Sequence, residues 1–71
     1  MKISIEYCQV WNYRPKAVSL AEELKKNLSD IEIEYIESSG GAFEISKEGK
    51  LVYSKLRQGR FPKVQEIIDL L

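Results

Sequence analysis

The chain predicts an α/β fold built as a two-layer, open-faced sandwich, and three features of the sequence carry that reading. Residues 2–7 and 31–35 alternate apolar with polar side chains, the period of a strand with one face buried. Residues 15–28, between them, repeat apolar side chains at helical spacing. A two-residue turn, Glu48-Gly49, then joins two further strand-like runs. At 71 residues and 44% apolar content the chain is read as one domain, 1–71, whose core supports about 3–5 kcal/mol of stability. Any function therefore sits on the surface or rim of that unit.

The first strand places Ile3, Ile5 and Tyr7 on one side and Lys2, Ser4 and Glu6 on the other. A helix opens at 12–15, because Pro15 lacks an N–H and is tolerated only in a first turn. Its apolar stripe is Ala17, Ala21, Leu24 and Leu28. Ile31, Ile33 and Tyr35 alternate with Glu32 and Glu34 in a second strand, which Ser38-Ser39-Gly40-Gly41 ends with turn chemistry. Residues 42–47 and 50–55 form a β-hairpin about Glu48-Gly49, and a polar loop follows at 55–60. Pro62 then opens a last helix carrying Val64, Ile67, Ile68 and Leu71 on one face.

The order is β-α-β-β-β-α. A crossover helix makes the first two strands parallel, and the hairpin makes the last two antiparallel. Lys2, Glu6, Glu32 and Glu34 do not all fit under helices, so both helices are expected on one face of the sheet, with Ile3, Ile5, Ile31 and Ile33 beneath them. The strand at 50–55 is expected at a sheet edge, guarded at its ends by Lys50 and Lys55.

Eleven basic and eleven acidic residues balance to zero net charge, which gives no reason to expect a nucleic-acid partner. No apolar stretch is long enough to span a membrane, and residues 1–5 lack the apolar run and cleavage site of a signal peptide, so a cytoplasmic protein is expected. There is no histidine, and a single cysteine, Cys8, leaves no internal disulfide and nothing for a structural zinc site. Neither a metal nor a resident cofactor is expected. Glu32, Glu34 and Glu44 are read as charges on a solvated sheet face, since acid/base work by paired carboxylates needs a cleft.

Four stretches, taken in order, resemble the selenoprotein W, T and H group, the Rdx-type thioredoxin-like proteins. Tyr7-Cys8, position 11, and Tyr13-Arg14-Pro15-Lys16 resemble that family's redox loop between strand and helix. Gly41-Ala42-Phe43-Glu44-Ile45 resembles its Gly-x-Phe-Glu-Val strand, residues 49–55 the outer strand of its hairpin, and Gly59-Arg60-Phe61-Pro62 the entrance to its last helix. The resemblance implies a thioredoxin-like four-stranded mixed sheet of order 2-1-3-4, and thiol–disulfide chemistry.

Where the family places selenocysteine or a second cysteine three residues after the first, this chain reads Cys8-Gln9-Val10-Trp11. A CxxC pair works because one thiolate attacks and the other resolves the mixed disulfide. Cys8 alone forms a mixed disulfide and does not resolve it. The tryptophan codon lies one base from the stop codon that is recoded as selenocysteine, and Trp11 is read as a genuine tryptophan.

Cys8 is the candidate catalytic residue. At a strand end, ahead of a helix whose start carries Arg14 and Lys16, it is expected to be at least partly exposed and reactive. Trp11, Tyr13 and Phe61 are the candidate binding residues. Trp11 and Tyr13 put two aromatics in a loop, a composition common at binding hot spots, and Tyr13 also suits the capping of a small core. Phe61 is read as core, or as rim near Cys8.

Two functions of different classes follow. In the first, a thiol redox protein exchanges disulfides through Cys8 with glutathione or a partner protein's thiol. In the second, a redox-inactive interaction module meets its partner through the Cys8-Trp11-Tyr13 loop. A monomer or weak dimer is expected in either case.

Overall fold

A computed structural model describes residues 1–71. The chain runs β1 (Lys2–Cys8), α1 (Arg14–Asn27), β2 (Glu32–Ser38), β3 (Phe43–Lys47), β4 (Lys50–Ser54), α2 (Lys55–Gln58) and α3 (Val64–Leu70). The strands form one mixed sheet in the order β2-β1-β3-β4.

β1 pairs in parallel with β2, setting Ile3 beside Ile33 and Ile5 beside Tyr35. It pairs antiparallel with β3, setting Ile5 beside Ile45 and Tyr7 beside Phe43. The period of two puts all of these on one face. Ala17, Leu20, Ala21 and Leu24 of α1 and Ile67 of α3 join them, with Tyr53 of β4, in one buried cluster. Both longer helices therefore cover the same face, as the alternation predicted. Ile31 and Ile33 are only half-buried, because β2 is an edge strand.

The other face carries Ser4, Glu6, Glu34, Glu44 and Ser46, placed there by register. Glu34 accepts a bond from Ser4 Oγ at 3.2 Å and stands 3.7 Å from Lys2 Nζ. Ile36 and Leu51 also lie on this face and are exposed, so it is not wholly polar. β4 is the second edge, as expected.

The hairpin turn has Glu48 at φ 49° and Gly49 at φ 81°, the left-handed pair that a two-residue turn between twisted strands requires. The expected polar loop after β4 is instead a single helical turn, α2. Ser54 Oγ caps it by accepting the Arg57 N–H at 3.3 Å, and Gly59 ends it at φ 76°. Arg60 then grips Glu66 through two bonds of 2.8 and 2.7 Å, while the Lys63 N–H donates to the same carboxylate at 3.2 Å. These contacts fix the start of α3, which opens two residues after Pro62. The Arg60 bonds first, and the Lys63 N–H second, hold the Glu66 carboxyl down at about 2. No helix is long and apolar enough to cross a membrane.

Candidate functional site

Cys8 is the last residue of β1, and the sheet flanks it on both sides. Its N–H donates to Ala42 O at 2.8 Å, and the Gln9 N–H donates to Ser38 O at 3.0 Å. The chain then reverses: the Asn12 N–H donates to Gln9 O at 3.0 Å and the Tyr13 N–H to Cys8 O at 3.0 Å. That reversal puts Asn12 at φ 56°, a left-handed conformation that asparagine tolerates. It also aims the Trp11 backbone N–H at Cys8 Sγ, 3.3 Å away.

Cys8 is fully buried, at 0% exposure, which corrects the expectation of a partly exposed thiol. The strand runs one residue further than the alternation suggested and stays in register with β2 through the pair Cys8–Ser38. Sheet neighbours and the reversing loop together remove the side chain from solvent. The two nearby cations are engaged with other side chains. Arg14 donates to the Tyr7 hydroxyl at 2.9 Å and lies over the Tyr35 ring at 5.5 Å, while Lys16 Nζ stands 4.9 Å from the centre of the Phe61 ring.

The structure brings together the three aromatics predicted as binding residues. Trp11, Tyr13 and Phe61 follow one another edge to face, with ring centres 6.0 Å and then 4.8 Å apart, and Phe43 continues the row at 5.1 Å. Phe43 is core. Tyr13 and Phe61 are half-buried and pack against the core cluster. Trp11 is 60% exposed, and Val10 beside it 76%.

The seat of Trp11 is Gly41, which the sequence shows as a turn residue and as the first position of the Gly-x-Phe-Glu-Val resemblance. A Cβ at Gly41 would stand 2.8 Å from Trp11 Cζ3, closer than real contacts allow, so the indole rests where only glycine leaves room. Lys55, expected merely to guard a strand end, brings its Nζ to 5.4 Å from the Tyr13 ring centre and 5.3 Å from that of Phe61. Nothing in local sequence signals either role. No three His, Cys, Asp or Glu side chains converge to hold a metal.

A profile of the Rdx family matches residues 2–71. The chain belongs to the Rdx family. It is similar to Migration and invasion enhancer 1 of Bos taurus, 37% identical over all 71 residues, and the chain spans 62% of the length of that relative. It is also similar over 33 residues, 46% of the chain and 16% of the relative, to a SelT-like protein of Arabidopsis thaliana at 58% identity. Among solved structures, a selenoprotein W-related protein of Vibrio cholerae superposes with a TM-score of 0.82 at 30% identity, over 97% of this chain and 89% of that one. A protein of Bordetella parapertussis reaches 0.87 at 28% identity, over 99% and 96%. The sheet order and the helices over one face of this Rdx protein are the thioredoxin-like arrangement of those neighbours. At the level of the family, membership points to thiol redox chemistry.

Proposed function

We propose that this Rdx protein is a one-cysteine thiol protein, in which Cys8 exchanges with a disulfide when residues 9–12 lift away from the end of β1. The Cys8 thiolate attacks one sulfur of a small disulfide such as oxidised glutathione. The S–S bond breaks, a Cys8–S–S bond forms, and the other half leaves as a thiolate that takes up a proton. No second cysteine resolves the product, so reversal needs an external thiol. A reducing compartment such as the cytoplasm supplies one.

The observation that carries this reading is the Trp11 N–H bond to Cys8 Sγ, made by a loop whose side chains Gln9, Val10, Trp11 and Asn12 are all exposed. Such a segment opens without unfolding the core. Releasing two or three hydrogen bonds at about 1 kcal/mol each leaves on the order of one molecule in a hundred open. Exchange is then slow but does not require global unfolding.

The test is incubation with oxidised glutathione under native conditions, followed by mass spectrometry. One adduct on Cys8, removed by reductant and missing from Cys8→Ser, supports the reading. A second reading rests on the adjacent exposed side chains of Val10 and Trp11, which suit an interaction module working through the Cys8-Trp11-Tyr13 loop. A native wild-type protein that takes up no adduct would put that second reading in place of the first.

A further inference from the structure

Lys16 and Lys55 are 39 positions apart in the chain, yet both ammonium groups sit within 5.3 Å of the centre of one ring, Phe61. An aromatic face attracts a cation and leaves its N–H groups free to bond outward. Neither lysine belongs to an ion pair; those of the chain join Lys2 to Glu34, Lys26 to Glu23 and Arg60 to Glu66. The acidic neighbour, Glu44, already accepts Ser54 Oγ at 2.6 Å and the Lys55 backbone N–H at 3.0 Å. Two ammonium groups thus share one ring with no carboxylate paired to either.

The same ring lines a cleft of about 160 Å³ together with Lys16, Ser19, Leu20, Phe43 and Val64, and Lys55 stands by the ring outside that lining. A cleft of that size, mostly apolar with two polar groups, takes one end of a small ligand and leaves the rest on the surface. One ring further along the row is Tyr13, whose N–H bonds the Cys8 carbonyl. The row Phe61–Tyr13 thus runs from the cleft toward the end of β1, where Cys8 lies buried beneath residues 9–12.

We propose that Lys16 and Lys55 form a clamp for the carboxylates of a small anionic peptide thiol, seating it along the Phe61–Tyr13 row toward Cys8. This inference rests on Cys8 as a mixed-disulfide thiol and names the class of its partner. A neutral or cationic disulfide lacks the groups the two ammoniums recognise, so the clamp selects by charge, through encounter and seating.

S-methylglutathione, which has both carboxylates and no reactive sulfur, separates the clamp from the chemistry. Titrated into Cys8→Ser and followed by NMR, it should shift the Lys16, Lys55 and Phe61 resonances saturably. Affinity should fall about tenfold in the Lys16→Gln/Lys55→Gln background, two exposed charge contacts at somewhat under 1 kcal/mol each, and survive in Lys16→Arg/Lys55→Arg. Absence of saturable shifts, or equal affinity in the glutamine variant, overturns the clamp. Adduct formation on wild type should be several-fold faster with oxidised glutathione than with neutral hydroxyethyl disulfide, and the gap should close at high salt. Equal rates also overturn the clamp and leave the thiol reading standing. Saturable binding with no adduct from either disulfide overturns the thiol reading and retains the clamp.

Discussion

The indole of Trp11 lies directly on Gly41, at a distance that leaves no room for a Cβ, and this contact ties the 9–13 loop to the start of β3. Trp11 occupies the position at which the family's second redox atom is expected from the CxxC-like spacing. The residue that removes the resolving chemistry thus also secures the loop under which Cys8 is buried.

Gly41→Ala should therefore open the site. The added methyl meets Cζ3 at 2.8 Å and falls on a residue at φ 77°. Displacing the indole and straining the backbone should cost about 1–3 kcal/mol of stability, read by urea denaturation. Labelling of Cys8 by a thiol reagent should accelerate severalfold in native buffer. A slower or unchanged rate would show that Trp11 does not hold the loop shut.

Trp11→Ala tests the same contact from the other side without backbone strain. Loss of the edge-to-face contact with Tyr13 at 6.0 Å is worth about 0.5–1.5 kcal/mol, so global stability should fall by about that much and Cys8 labelling rise about three- to tenfold. Equal labelling in both proteins would place the barrier to Cys8 in the sheet instead.

Cys8→Ser should fold and take up no glutathione. A serine Oγ still accepts the Trp11 N–H that Sγ accepts at 3.3 Å, but burying a hydroxyl at 0% exposure is less favourable than burying a thiol, at about 1 kcal/mol or slightly more. Circular dichroism and thermal melting check the fold, and mass spectrometry the adduct.

Ile5→Ala should unfold much of the population. Ile5 is fully buried at the centre of the sheet between Tyr35 and Ile45, and truncations of this kind cost about 2–5 kcal/mol. A core supplying about 3–5 kcal/mol has little left after that loss. Ile36→Ala, on the exposed sheet face, is the control and should cost well under 1 kcal/mol.

The entrance to α3 should hold against acid until the pH falls well below the ordinary carboxylate range. Glu66 has a folded-state pKa lowered from 4.5 to about 2, first by the Arg60 hydrogen bonds and then by the Lys63 N–H. Its contribution is fully present above pH 4.5 and is lost as the pH falls through about 2. Carbon-detected NMR titration should show the Glu66 carboxyl resisting protonation below pH 4, and Glu66→Gln should abolish the Arg60-dependent part of the acid sensitivity. A Glu66 midpoint near 4.5 would mean that the Arg60 pair does not persist in solution.

Local pattern alone determined most of the architecture. The alternation at Ile3, Ile5 and Tyr7, the stripe Ala17, Ala21 and Leu24, and the Glu48-Gly49 turn each depend on neighbours a few residues away, and each is where it was read. The helices on one face follow from the same alternation, because charged strand faces stay in water. Even α2 had a local signal in Ser54 three residues before Arg57 and Gly59 at its end, outweighed by the polar character of the segment.

The state of the candidate site is different in kind. Whether Cys8 is exposed turns on one residue of strand length and on the loop that folds back to its sulfur, and alternation does not resolve a boundary to one position. The seat of Trp11 on Gly41 joins positions 30 residues apart, and the gathering of Lys16 and Lys55 on Phe61 joins three separate segments. Periodicity decides which way a side chain faces within its own element. Only the crossing of β1, α1 and the segment entering α3 decides which faces meet, so the partners of Cys8, Trp11 and the two lysines belong to the tertiary structure alone.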